Sequence, residues 1–214
     1  MELLNLFIYI SIALPLLTMT VITQNRTRTV SLFLLFGVTS ALLCGELNGV
    51  LIDLINPQMR FYTVNYSPIV EEVVKAIPLI VYAFVEKPSR QRLLELAIAV
   101  GIGFAILENA YAFSTNIEEI SLPFALVRGL GAGLMHVVCT LAVGLGLSFV
   151  TEKREVLITG TVGLLGAAIT FHSAYNNLIQ SDYAMFAFVL PLIVFTAVTV
   201  FIKVKNKTTK SDMS

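Results

Sequence analysis

The sequence predicts an all-α, polytopic membrane bundle of about seven transmembrane helices. Three observations carry this. Apolar runs recur from residue 3 to residue 202, each near the ~20 residues a helix needs to span a bilayer. Only 13% of residues are charged, against about 25% in a soluble domain. Mean hydropathy is +0.85, with 57% hydrophobic residues. A closed β-barrel is the other spanning solution, but these runs are too long and too evenly apolar for alternating strands.

The runs place spans at 3–23, 29–55, 67–85, 93–115, 122–150, 156–180 and 183–202. The second and fifth are long, so each is expected to tilt, break at glycine or lie partly at the interface. The third opens on Ser67, a fitting N-cap, and on Pro68 at the first helical position. The first begins with Glu2 rather than a basic stretch and reads as a retained helix, not a signal peptide. Residues 1–202 thus form one integral membrane domain, and 203–214 a short basic tail expected to be disordered. Cys44 and Cys139 both lie in apolar segments, which excludes a disulfide framework. No nucleic-acid partner is expected; the bilayer is the first partner.

The connecting segments sort by charge. Arg26, Arg28, Lys87, Arg90, Arg92, Lys153, Arg154, Lys203, Lys205, Lys207 and Lys210 all fall on one side of the predicted topology. By the positive-inside rule that side is cytoplasmic, which puts the amino terminus outside and the carboxyl terminus inside the cell membrane.

The stretch SPIVEEVVKAIPLI, residues 67–80, sets Glu71, Glu72 and Lys75 among apolar residues. Each charge at a bilayer centre costs about 2.5–3.5 kcal/mol on insertion scales. Lys75 can reach either glutamate along the helix, but one lysine cannot neutralise two carboxylates. Taken alone, the segment fits an interfacial helix start as well as a functional site, since carboxylates early in a helix are favoured by its dipole. Three further spans carry Glu108, His136 and His172. Counted from the outer ends at 1.5 Å per residue, Glu72, Glu108, His136 and His172 lie ~7–12 Å deep. The common depth predicts one shared site in the outer half of the membrane. Glu72 is expected to face it, with Glu71 paired to Lys75 or lining its edge. Small-residue pairs precede three of these groups: Gly129 and Gly133, Gly101 and Ala105, Gly163 and Ala167. Such pairs let membrane helices approach closely.

Carboxylates beside two imidazoles suit water activation. A glutamate can act as general base. Two histidines and one glutamate can hold a catalytic zinc with a position left for water. Alternatively, Glu and His activate water without metal while Asn or His donors stabilise the oxyanion. Asn176, four residues after His172, would share its helix face.

EEVVK (71–75), FAILE (104–108), His136 and HSAYN (172–176) resemble the motifs of the PrsW family. That family is grouped with the type II CAAX prenyl proteases and the APH-1 subunit of γ-secretase. The resemblance implies a membrane-embedded protease, usually classed as a metalloprotease, that acts on membrane-protein substrates near the extracytoplasmic side. It makes Glu71 and Glu72 the essential pair and makes Glu108, His136 and His172 candidate metal ligands or acid/base groups. Zinc is the implied metal, although CAAX-type relatives are also described as glutamate-based. Two alternatives stand beside it: a non-catalytic scaffold like APH-1, and a proton-coupled transporter, since intramembrane Glu and His also build proton relays.

CGELNG (44–49) puts Glu46 and Asn48 inside the second span, read as a helix break with a structural hydrogen bond. Asp53, Arg60 and Arg128 are read as interfacial, and Tyr111 and Tyr175 as interfacial or packing residues.

Overall fold

The computed structural model describes residues 3–152 and 157–211. Lys153, Arg154, the start of the sixth predicted span and residues 212–214 lie outside them. The described residues are helical throughout their long segments. In chain order these are α1 (Leu3–Ile22), α2 (Asn25–Ile55), α3 (Met59–Asn65), α4 (Ser67–Glu86), α5 (Arg90–Thr115), α6 (Leu122–Leu126), α7 (Gly133–Glu152), α8 (Gly163–Ile179) and α9 (Val189–Ser211). Four described stretches are long and apolar enough to cross a membrane: Leu4–Ile22, Asn25–Ile55, Arg90–Thr115 and Leu122–Phe149. The chain is a multi-pass helical membrane protein.

The seven long segments follow the predicted spans closely. The short α3, the loop between the second and third spans in the sequence reading, is additional. The predicted fifth span is continuous but switches geometry. After α6 the residues Val127–Ala132 form π-helical turns before α7 resumes, and Leu157–Val162 do the same before α8. Helix α2 runs unbroken through Gly45 and Gly49, so the break expected at CGELNG is absent. The expected disordered tail is helical as far as Ser211, continuing α9.

Helix α5 is the centre of the bundle, lying against α2 on one side and α7 on the other. Glycine sets both approaches. A Cβ on Gly103 would stand 2.1 Å from the Leu34 carbonyl oxygen of α2, and one on Gly101 would stand 2.8 Å from Val137 Cα of α7. Around these contacts Phe33, Leu93, Leu96, Val100, Cys139 and Leu147 form the buried core. The expected small-residue contact is therefore real at Gly101. Nothing lies within 4 Å of a Cβ placed on Gly129 or Gly163, so those two glycines do not mediate close approach.

Candidate active site

Helices α4, α5, α7 and α8 each bring polar side chains to one place. The two adjacent glutamates of α4 diverge, as neighbours ~100° apart on a helix must. Glu72 turns into the bundle and is fully buried. Its Oε1 accepts from Lys75 Nζ at 2.7 Å and from His172 Nδ1 at 2.7 Å. Glu71 turns toward a cavity. Its Oε1 accepts from the Ser67 hydroxyl at 2.6 Å. Its Oε2 is buried without a hydrogen-bond donor and lies 3.7 Å from His172 Nε2.

Of the two expected placements of Glu71, pairing with Lys75 and lining the edge of the site, the structure has the second, while Glu72 joins the histidine cluster. Lys75 pairs with Glu72, not Glu71, and Glu71 takes the cavity side. Both spacings are open to an α-helix; the position of α8 decides, because His172 Nδ1 reaches the same Glu72 oxygen as the lysine. Ser67 is also reassigned. It lies inside the first turn and caps nothing; it receives Asn48 Nδ2 at 3.0 Å and donates to Glu71.

Lys75 Nζ also lies 3.0 Å from His136 Nδ1 and 4.5 Å above the centre of the Phe104 ring. An ammonium can only donate, so Nδ1 of His136 is the acceptor and its ring proton sits on Nε2. That nitrogen meets Glu108 Oε2. His172 is held from the other nitrogen: Nδ1–H donates to Glu72, and Nε2 lies 3.7 Å from Glu71 Oε2. The imidazole centres are 5.2 Å apart at 87°.

Glu108 Oε1 accepts from Arg128 Nη2 at 3.0 Å. Arg128, read from the sequence as interfacial, turns inward because Glu108 offers it a carboxylate across the helix interface. Asn109, which no motif marks, bonds Arg128 as well. Neither contact has a local sequence signal, since the partners are about twenty residues apart on different helices.

Asn176 does not join the cluster. Its side chain donates to the Thr63 carbonyl at 2.9 Å, and Gln180 Nε2 bonds the Thr63 hydroxyl at 3.0 Å. Together they tie α3 to α8. Tyr62 of α3 donates to Asn48 Oδ1 at 2.8 Å, so Asn48 supplies the structural bond expected of it. Tyr175 is buried with its hydroxyl on the Val127 carbonyl.

A cavity of about 870 Å³ opens onto the cluster. Glu71 and Glu108 form its inner wall with Phe104, and Glu46, Asp53 and Tyr111 also line it. Glu72, Lys75 and the histidines stand behind that wall. Glu71, His136 and His172 each offer one ligand atom, all within 4.8 Å of one another. The donorless Glu71 oxygen and His172 Nε2 suit a His₂Glu zinc set, which His136, held by Lys75 at Nδ1 and by Glu108 at Nε2, joins by giving up one of those contacts. The grouped carboxylate is Glu71 where the sequence reading has Glu108, both of whose oxygens are already engaged.

The arrangement is a Glu/His cluster, on the helices of a membrane bundle, whose donor atoms could hold a metal ion. Residues 25–203, most of the chain, match the family described as PrsW family intramembrane metalloprotease, and the chain belongs to that family. It is therefore a membrane-embedded protease. No curated protein and no solved structure matches the chain.

Proposed function

We propose that the cluster hydrolyses peptide bonds of membrane-protein substrates on the extracytoplasmic side of the cell membrane, with Glu71 at the point of attack. The single observation that carries this is the placement of Glu71: of the two adjacent glutamates, each with a buried oxygen lacking a donor, it is the one that lines the large cavity, with Oε2 3.7 Å from His172 Nε2. That oxygen is the acceptor that a water in the site would meet. Glu72 holds His172 in the tautomer that leaves Nε2 free toward Glu71, as a carboxylate behind a ligating or catalytic histidine does. Lys75 offsets the charge of Glu72 and holds His136 at Nδ1. Glu71, His172 and, with one of its two contacts released, His136 would hold a zinc ion, whose chemistry when bound is to polarise the scissile carbonyl and make its water a nucleophile near neutral pH.

The test is cleavage of a single-pass membrane substrate by purified protein in liposomes. Glu71→Gln keeps size and packing and is expected to lose about 10²–10⁴-fold in rate. Loss of activity in chelator, restored by zinc, supports the ion; full activity in chelator supports the glutamate/histidine version. Normal cleavage by Glu71→Gln removes the catalytic reading and leaves a scaffold or relay.

The sidedness follows from the charge asymmetry of the loops. A single cysteine at position 117 is expected to react with an impermeant reagent added outside cells, and one at position 210 is not. The native Cys44 and Cys139 are buried and stay silent. The opposite labelling pattern would invert the topology.

A further inference from the structure

Arg128 and Asn109 form a clamp. Arg128 Nε donates to Asn109 Oδ1 at 3.0 Å, and Asn109 Nδ2 donates back to the Arg128 carbonyl at 3.3 Å. The π-helical turn over 127–132 directs the Gly133 N–H to the same carbonyl, so two donors share its two lone pairs. With its backbone and Nε held, the guanidinium reaches Glu108 Oε1 through Nη2. Glu108 then meets His136 Nε2 through Oε2.

His136 is thus gripped at both nitrogens, but the two grips differ in rigidity. Lys75 is fully buried, while the Glu108 side chain is 35% exposed on the cavity wall. A glutamate so placed has rotamers that point into the cavity and away from the histidine. The planar guanidinium fork fixes two acceptors at once, which a lysine ammonium does not do in a set geometry.

We propose that Arg128 is a positioning residue for the hydrolytic reaction: anchored by Asn109, it holds the Glu108 carboxylate on His136 Nε2 and so sets the orientation of that imidazole. The assignment rests on the hydrolytic reading above, and its test has an arm that does not.

That arm uses the chain's having only two histidines. In a His172→Gln background, ¹⁵N-histidine labelling leaves His136 as the only ring signal. Arg128→Met is expected to shift both ring-nitrogen resonances. Asn109→Ala, which keeps every charge, is expected to shift them the same way by less. A melting curve in detergent reads folding separately. In the chain with both histidines, Arg128→Met is expected to lower kcat about 10–100-fold with KM little changed, the usual effect of losing a partner behind a site ligand. Arg128→Lys recovers only part. Arg128→Met added to Glu108→Gln costs nothing further, because Arg128 acts through Glu108. Unmoved His136 resonances, or full additivity of the two substitutions, would overturn the assignment. If the parent protein cleaves no membrane substrate, the hydrolytic reading fails, and the resonances alone decide whether Arg128 positions His136.

Discussion

Helix α5 contains two regions that obey different rules. From Leu93 to Leu107 most of its residues are buried, and its Gly101 and Gly103 let the backbones of α7 and α2 come into contact. One residue later Glu108 faces a cavity and an arginine. The first region holds helices together by close contact of small residues, the means available where lipid removes the hydrophobic drive for association. The second region holds the Glu108 carboxylate, matched by Arg128 and His136 from beyond α5. The fold is therefore secured beside the chemistry and not by it, and the polar cluster is stable only as a set. Replacing one residue in each region separates these two dependences.

The largest loss of stability is expected at the buried pair. Lys75 and Glu72 are both fully shielded. Lys75→Met leaves the Glu72 carboxylate with His172 as its only donor and no cation. Breaking a buried pair on one side costs about 3–5 kcal/mol. Removing both charges, in Lys75→Met with Glu72→Met, is expected to restore most of the melting temperature in detergent while leaving the protein inactive, since replacing a whole buried pair by apolar groups is often near neutral. Equal melting of Lys75→Met and the parent would show that the polar end tolerates an unpaired charge, and the contrast with the glycine region would fall.

The long helices are legible in the sequence because the bilayer dictates their length, and the structure starts the first six within a few residues of the expected positions. The last starts later, at Val189, because residues 183–188 form short turns after α8. Helix α3 is not legible: its seven residues, MRFYTVN, are too few and too mixed for periodicity, and Asn176, Gln180 and Asn48 hold it from other helices. The π-helical turns before α7 and α8 leave no compositional mark. Glu71, Glu72, Glu108, His136 and His172 stand out because an ionisable group in a span needs an environment of its own. Which glutamate faces the cavity does not stand out, because Lys75 is in helical reach of both. Arg128 is legible as a charge but not as a partner, since Glu108 is on another helix.

The smaller effects lie in the glycines, where sequence pattern and contact disagree. Gly103 and Gly163 both sit in apolar helices next to other small residues. A methyl group on Gly103 would meet three backbone atoms of α2: the Leu34 oxygen at 2.1 Å, the Leu34 carbonyl carbon at 3.0 Å and the Val38 nitrogen at 3.1 Å. None of these atoms can swing away as a side-chain end does, so Gly103→Ala must push α2 from α5. The cost expected is that of overpacking, about 1–3 kcal/mol, read as a lower melting temperature in detergent. A methyl on Gly163 meets nothing within 4 Å. Gly163→Ala loses no contact and removes the backbone freedom that makes glycine about 0.8–1 kcal/mol worse than alanine in a helix. It is expected to leave the melting temperature unchanged or slightly raised, with proteolysis intact. A drop at Gly163 equal to that at Gly103 would mean that α8 has a close neighbour there, and that the small-residue pattern before His172 marks a contact after all.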